Sequence, residues 1–283
     1  MIADIYELSP LQAGMLFHRV FAPASTAYFD QFACRLSGDV DPERLRRAWQ
    51  QLVDRHAVLR TSFHWEGLDR PVQVVHARAT LPWEAMDWRG LTAPEQAARW
   101  QAWLDADRAR GFAPDTAPLM RAAVARVADR EYYFCWSHHH LLLDGWCLSL
   151  VLAELFERYE AMGVGRAPRL EPVRPYAEYI AWLRGRDRAA LEAYWRETLR
   201  GVTTPTPILQ ASARHAGGAR VDAIAARSLG PDRSAAVRAA AARHRLTLNT
   251  LVQGAWALLL SRYSGADEVV FGTTVSGRPP ELP

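Results

Sequence analysis

Residues 132–145 read Tyr-Tyr-Phe-Cys-Trp-Ser-His-His-His-Leu-Leu-Leu-Asp-Gly, so an aromatic run is followed by three histidines and an aspartate. The first five residues of this stretch are aromatic or apolar and favour a β-strand. After it, apolar residues recur at helical spacing and predict an amphipathic helix: Leu148, Val151, Leu152, Leu155 and Tyr159. Three histidines and Asp144 therefore lie in a loop that a strand and a helix hold from both sides. Gly145, the next residue, permits a sharp turn or the close approach of a ligand.

The polar residues of this loop fit more than one role. They could be buried histidines beside an aspartate that caps the helix, or a site of proton chemistry, since the pKa of histidine lies near neutrality. No metal site is predicted, because consecutive side chains diverge and no HExxH or CxxC spacing accompanies them. Ser137 precedes His138, but no GxSxG elbow surrounds it, so the sequence does not predict a serine hydrolase.

Composition limits the class of protein. The chain has 283 residues, 49% of them hydrophobic, and a net charge of +3. This length predicts two lobes, and the mild charge gives no reason to expect nucleic acid as a partner. No apolar run is long enough to span a membrane, and the first residues do not resemble a secretory signal. Cys34, Cys135 and Cys147 are odd in number and lack metal spacing, which indicates reduced thiols and a cytoplasmic protein.

The order of helices and strands predicts an α+β fold. Before the histidines we expect helices beginning after the caps Ser9, Asp41 and Thr92, with strands at 28–36, 58–65, 72–76, 119–127 and 131–137. Residues 162–175 are rich in glycine and proline and predict a connection. Beyond it we expect helices at 176–199, 231–243 and 246–263, with strands at 222–229 and 268–271. The predicted lobes are residues 1–170 and 171–283.

Several stretches together resemble the condensation domains of nonribosomal peptide synthetases. His139-His140-xxx-Asp144-Gly145 is similar to the HHxxxDG motif of that family. The other matching stretches, in the family's order, are Leu8–His18, Arg55–Phe63, Arg110–Phe112 with Pro118–Arg121, Tyr176–Trp182 and Phe271–Pro279. Ala57 stands where the family usually has an acidic residue. The resemblance covers the whole chain and implies a chloramphenicol acetyltransferase-like α/β sandwich.

This resemblance implies peptide-bond formation between a donor aminoacyl or peptidyl thioester and the α-amine of an acceptor thioester. Both substrates would be carried on phosphopantetheine arms of donor and acceptor carrier domains, beside an adenylation domain, with no directly bound cofactor and no membrane partner.

The same resemblance assigns roles to individual residues. His140 would be catalytic, as a base or as a group that orients the amine, and His139 would support it. Asp144 would be structural and held in an ion pair with Arg278, with a direct role as a base as the alternative, and Gly145 would direct its N–H toward the reacting carbonyl. Arg60 lies in an apolar run, and from this setting, not from the resemblance, we expect it to be structural and paired with an acidic group.

The sequence is compatible with several alternatives. The family's stretch around Arg278 is followed by further strands, so we expect a C-terminally truncated domain: a complete N-terminal lobe and part of the C-terminal lobe. Such a piece could be inactive or could only bind, and a stand-alone acyltransferase that uses coenzyme A thioesters is a further possibility. The opening motif and Tyr28-xx-Gln31 resemble domains that accept an L-configured donor. The amino acids that are joined are not legible from residue types.

Overall fold

The computed structural model describes residues 1–22, 25, 27–207, 226–279 and 281. The chain forms two compact units, one made of Met1–Arg186 with Arg278–Pro283 and the other of Asp187–Gly277. The unit boundary therefore falls at Arg186, later than the lobe boundary expected at residue 170. The assignment of residues 1–170 and 171–283 to the family's two lobes stays a prediction.

The first unit alternates strands and helices. In chain order they are β1 (Ile2–Glu7), α1 (Pro10–Phe21), β2 (Phe29–Ser37), α2 (Pro42–Arg55), β3 (Thr61–His64), β4 (Val72–His76), β5 (Trp83–Asp87), α3 (Ala93–Arg110), β6 (Met120–Ala128), β7 (Glu131–His139), α4 (Gly145–Gly163) and α5 (Tyr176–Arg184). One sheet has the order β1-β4-β3 and the other the order β2-β7-β6-β5. The predicted strand and helix are present as β7 and α4, but β7 runs on through His138 and His139, so of the three histidines it is His140 that lies in the turn between them.

Alternation along β7 gives the larger sheet two different faces. Phe134 and Trp136 belong to the main core, where the Trp136 ring lies 4.8 Å from that of Trp49 on α2. Tyr133 points to the other face and stacks at 5.4 Å on Trp100 of α3. The sheet is thus covered by helices on both faces, and this fixes β7 and the histidines at its end.

The predicted helix starts match the structure. The Ser9 hydroxyl accepts from Gln12 N at 3.2 Å while the Gln12 side chain accepts from Ser9 N, which is a capping box. Asp41 accepts hydrogen bonds at the start of α2, and Glu95 accepts from Thr92 N at 2.8 Å at the start of α3.

Some strands differ from the prediction. β1 and β5 are present in addition to the expected strands. β1 is mostly exposed, so neither of its faces needs the alternating apolar residues by which a strand is recognised in sequence. Residues 57–60, expected in part as strand, form a 3₁₀ turn before β3. The places of β1 and β5 and the start of β3 depend on pairing with other strands of the sheet, which the local sequence does not display.

The described part of the second unit consists of α6 (Arg188–Thr198), α7 (Gly230–Arg243), α8 (Leu248–Ser264) and irregular segments. The single helix predicted over 176–199 is two helices. The first ends at Arg184, and the second begins after Asp187, whose side chain accepts a hydrogen bond from Ala190 N at 3.0 Å.

Of the two strands expected in the second unit, one falls partly outside the described residues and the other is not present. Residues 222–225 lie outside the described residues, and 226–229 are not strand. The strand expected at 268–271 is wrong: Val270 N donates to the Thr206 hydroxyl, and no neighbouring strand pairs with this segment in the described part of the chain. Among the described residues, no helix is long and apolar enough to cross a membrane.

Candidate active site

The pairing of β2 with β7 places the histidines. The strands are antiparallel, with Asp30 opposite His138 and Phe29 opposite His139. The ladder continues beyond β7, because His140 N donates to Tyr28 O at 2.8 Å. Opposed residues share a face and neighbours alternate, so Asp30 and His140 lie on one face and His139 on the other.

His140 bonds to a carboxylate. Its Nδ1 lies 2.6 Å from Asp30 Oδ2, and the two side chains are 32% and 47% exposed. The hydrogen bond from His140 lowers the pKa of Asp30, so the carboxylate is ionised near neutrality and can only accept. Nδ1 therefore carries a proton, and in the neutral ring Nε2 is free. The bond to Asp30 raises the pKa of His140, and burial opposes it only in part.

The two other histidines are buried. His139 is 4% exposed, and its Nδ1 accepts from Leu141 N at 3.1 Å. Burial lowers the pKa of His139 to about 4, so it is neutral at pH 7. His138 packs on Trp136 with ring centres 4.6 Å apart, and burial lowers its pKa as well. Of the three, His140 is the histidine whose ring reaches solvent.

Asp144 caps α4 and pairs with Arg278. It accepts from Cys147 N at 3.0 Å, and the guanidinium donates to both of its carboxylate oxygens at 3.1 and 3.0 Å. Burial acts to raise the pKa of Asp144, but these hydrogen bonds outweigh it and the pKa is lowered. The expected pair is present, but it is not buried: the side chains of Arg278 and Asp144 are 42% and 36% exposed.

Gly145 is the first residue of α4 and does not need glycine's left-handed backbone. A Cβ built on it meets nothing within 4 Å, so the space beside it is open. Its N–H belongs to the first turn of a helix, where amides lack intrahelical partners and attract negative charge. The position suits the close approach of a polar group near His140.

Arg60 has a different kind of partner from the one expected. We expected an acidic partner, but among the described residues its guanidinium bonds to carbonyl oxygens and forms no salt bridge. It donates to Val53 O at 2.7 Å, to Asp54 O, and to His76 O at 3.0 Å. The last carbonyls of α2 have no intrahelical donors, so these oxygens, at the negative end of the helix dipole, accept from Arg60 in place of an acidic side chain.

Three residues that support the site were missed. One is Asp30. Another is Gln12, which donates to Leu141 O at 3.1 Å and so fixes residues 140–144, the histidine loop; its Oε1 accepts from Gln73 Nε2 at 3.1 Å. Nothing in the local sequence marked Asp30, since β2 also contains the polar residues Gln31 and Arg35. The signal for Gln12 was its place in a capping motif.

The third missed residue is Asp107, a buried carboxylate under the other face of β2 and β7. It accepts from Ser137 Oγ at 2.6 Å and Gln31 Nε2 at 2.9 Å, and it pairs with Arg121. Burial acts to raise its pKa, but the bonds from Ser137 and Arg121 outweigh it and the pKa of Asp107 is lowered. An acidic residue near the end of α3 gave no local sign of this role.

Sequence comparison decides the family. The profile described as "Condensation domain" matches residues 2–282. The chain belongs to the condensation domain family. Linear gramicidin synthase subunits B and C of Brevibacillus parabrevis are both 44% identical to it over its whole length. This condensation domain spans 6% and 4% of those two relatives.

Structural comparison agrees on the fold. The first condensation domain of the calcium-dependent antibiotic synthetase, solved with a substrate analogue, matches 94% of this chain and 63% of its own, with a TM-score of 0.73 and 24% identity. The starter condensation domain of rhizomide synthetase matches 74% of this chain and 51% of its own, with a TM-score of 0.62 and 24% identity. The chloramphenicol acetyltransferase-like α+β fold predicted from the sequence is confirmed.

Proposed function

We propose that this condensation domain forms a peptide bond within a nonribosomal peptide synthetase. The donor is an aminoacyl or peptidyl thioester, the acceptor is the α-amine of an aminoacyl thioester, and both are held on phosphopantetheine arms of carrier domains. The observation that carries the proposal is the difference between the three histidines. Of the three, His140 has a partly exposed ring that is hydrogen-bonded to a carboxylate, whereas His138 and His139 are buried.

The reaction needs one proton acceptor. The amine lone pair attacks the thioester carbonyl carbon, the C–N bond forms, and the carbonyl π electrons move to oxygen. The proton leaving nitrogen goes to Nε2 of His140, which matches the tautomer that the Asp30 contact sets. When the C=O bond reforms, the C–S bond breaks and the thiolate takes that proton. The products are an amide and a thiol, and His140 is again neutral.

Neighbouring residues hold the loop that presents His140. Asp144 and Arg278 fix the first turn of α4, and His139 ties the backbone at Leu141. The Gly145 N–H at the start of α4 is the donor we assign to the developing oxyanion, because a preorganised amide in a helix N-terminus stabilises negative charge.

The partners follow from this chemistry. Two carrier domains deliver donor and acceptor, and an adenylation domain of the same synthetase loads a carrier. The group that each carrier brings is phosphopantetheine, and it is part of the substrate. Cys34, Cys135 and Cys147 are free thiols, in keeping with a reducing cytoplasm. The amino-acid side chains are not assigned, and we favour an L-configured donor.

The test is His140→Ala in the full synthetase, with loaded donor and acceptor carriers and mass spectrometry of carrier-bound products. Loss of a general base costs about 10²–10⁴-fold in rate, so dipeptidyl-carrier should fall to background. His244→Ala is the matched control, because His244 is exposed at the end of α7 and should leave the rate unchanged.

Two results would overturn the proposal. One is dipeptidyl-carrier at the wild-type rate from the His140→Ala protein, with circular dichroism showing that it is folded. The other is product from free coenzyme A thioesters and none from carrier-bound donors, which would indicate a stand-alone acyltransferase.

A further inference from the structure

We infer that Asp30 is a positioning residue for His140, holding the Nδ1 proton of the imidazole so that Nε2 stays free to accept the proton of the attacking amine. The inference rests on the proposed function and deepens it. Asp30 lies outside the HHxxxDG stretch, 110 residues before His140. The two meet through strand pairing alone.

Strand register makes the contact. Asp30 is opposite His138 in the β2–β7 ladder, and the side chain two positions further along the chain on the same face is that of His140, just past the end of β7. Diagonal neighbours across an antiparallel pair are within reach of long side chains. The Nδ1–Oδ2 distance of 2.6 Å is that of a short, charge-assisted hydrogen bond.

The backbone on both sides of Asp30 supports the same geometry. Tyr28 has a φ of 67°, in the left-handed region that aromatic residues rarely adopt. This turn brings Tyr28 O to the amide of His140 at 2.8 Å, and the Tyr28 ring centre lies 6.4 Å from that of His140. A strained residue that fixes the histidine backbone beside its carboxylate partner indicates a site that is held in place.

The arrangement has a chemical consequence. A carboxylate on Nδ1 selects the tautomer with a free Nε2 and stabilises the imidazolium that forms when Nε2 takes a proton. The Nδ1 proton stays on the ring throughout, and Asp30 stays ionised. Without the carboxylate, the ring can rotate or adopt the tautomer with Nε2 already protonated, which cannot accept.

Other charged groups face His140 less directly. From β7, His138 and His139 are buried with lowered pKa values and carry little charge near neutrality. From the start of α4, the Asp144 carboxylate adds an attraction that Arg278 partly cancels. From α1, Arg19 acts on His139 and opposes its protonation. Asp30 is the carboxylate in direct contact, and the hydrogen bond to it is the largest influence on the pKa of His140.

The test compares Asp30→Asn and Asp30→Glu with Asp39→Asn. Asp39 lies beyond the far end of β2, where its exposed carboxylate pairs with Arg130 at 3.1 Å, so it controls for loss of an aspartate charge. Single-turnover rates of dipeptide formation are measured from about pH 6 to pH 9. The amine contributes the same pH dependence to every variant, so a shift between variants reports on the enzyme.

We expect the rate to rise with pH as His140 loses its proton. In Asp30→Asn, the maximal rate at high pH should fall about tenfold or more. The midpoint of the rise in rate with pH should move to lower pH by about half a unit or more, since the negative partner that favoured the imidazolium is gone. Asp30→Glu keeps the charge and should keep the midpoint near its wild-type position with part of the maximal rate. Asp39→Asn should match wild type.

A second readout does not need activity. Nuclear magnetic resonance of ¹⁵N-labelled histidine in this chain follows the protonation and tautomer of His140, which His140→Gln identifies. The His140 pKa should fall in Asp30→Asn, and the Nδ1–H tautomer should lose population. If a folded Asp30→Asn protein kept both the wild-type pH dependence of the rate and the wild-type His140 pKa, the inference would be overturned. That outcome differs from failure of the proposed function, in which His140→Ala itself retains activity.

Discussion

Arg278 donates two hydrogen bonds to Asp144, a residue 134 positions earlier in the chain, and each bond ends on a different carboxylate oxygen. The same guanidinium lies 3.4 Å from Cys147 Sγ, so it spans the first turn of α4. The contact joins the segment after Gly277 to the helix that follows the histidine loop. Because the pair is partly open to water, we expect it to fix orientation more than to add stability.

Asp144→Asn should therefore cost little in stability. Asparagine caps a helix about as well as aspartate, so the change removes the charge and keeps the cap. We expect the free energy of unfolding to fall by about 1 kcal/mol or less, and by less still at high salt, which screens exposed charges. Urea unfolding at low and high salt measures this.

The control for that experiment is Glu192→Gln, which removes an exposed pair with Arg196 on α6 and should change stability as little. A loss of about 3–5 kcal/mol for Asp144→Asn, the range for a broken buried pair, would contradict the exposed geometry.

The sequence predicted most helices and the central strands because apolar periodicity and caps are local signals. Ser9, Asp41 and Thr92 each stand directly before a helix that the structure contains. β1 and β5 were missed because their places depend on pairing with β4 and β6, which are distant in sequence.

The candidate site was predictable in part, because some of its residues are close in sequence and others meet only through long-range pairing. His139, His140 and Asp144 are close together in one motif, so a resemblance could find them. Asp30 could not be found, because its contact depends on the register between two strands. Arg60 was given the wrong kind of partner, since the carbonyls at the end of α2 are acceptors that residue types do not reveal.

His139 should make stability depend on pH. Its pKa is lowered from 6.5 to about 4 by burial, so the unfolded chain binds a proton there more readily than the folded one. The free energy of unfolding is therefore highest above pH 6.5 as far as His139 is concerned, and it decreases as pH falls from 6.5 to about 4. The lowering corresponds to about 3 kcal/mol at most. Unfolding free energy measured across this window in wild type and His139→Asn should converge toward pH 4.

Asparagine at this position keeps an acceptor near Leu141 N and does not titrate. His244→Asn, at an exposed site, is the control and should show the wild-type slope. Equal slopes for wild type and His139→Asn would mean that this ring is not held neutral by burial.

Gln12→Met should destabilise the protein and slow the reaction. The side chains are similar in size, but methionine leaves Leu141 O without its donor and removes an acceptor of both Gln73 Nε2 and Ser9 N. A buried group without a partner costs about 1–3 kcal/mol, so we expect a loss of at least about 2 kcal/mol in urea unfolding. Because Leu141 follows His140, the rate of dipeptide formation should fall as well.

Gln101→Met on the exposed face of α3 is the matched control, with an expected change within about 0.5 kcal/mol. Wild-type unfolding of the Gln12→Met protein would show that the histidine loop does not depend on this amide.

Arg121 and Arg110 both bond to Asp107 Oδ1, but the Arg121 side chain is 10% exposed and that of Arg110 is 59% exposed. Arg121→Met should lower the free energy of unfolding by about 3–5 kcal/mol, because it leaves a buried carboxylate without its main partner. Arg110→Met should change it by about 1 kcal/mol or less, since water screens that pair. Adding Asp107→Asn to Arg121→Met should restore part of the loss, because the uncompensated charge is then gone. Urea unfolding of the four proteins tests this, and equal losses for the two arginine variants would contradict it.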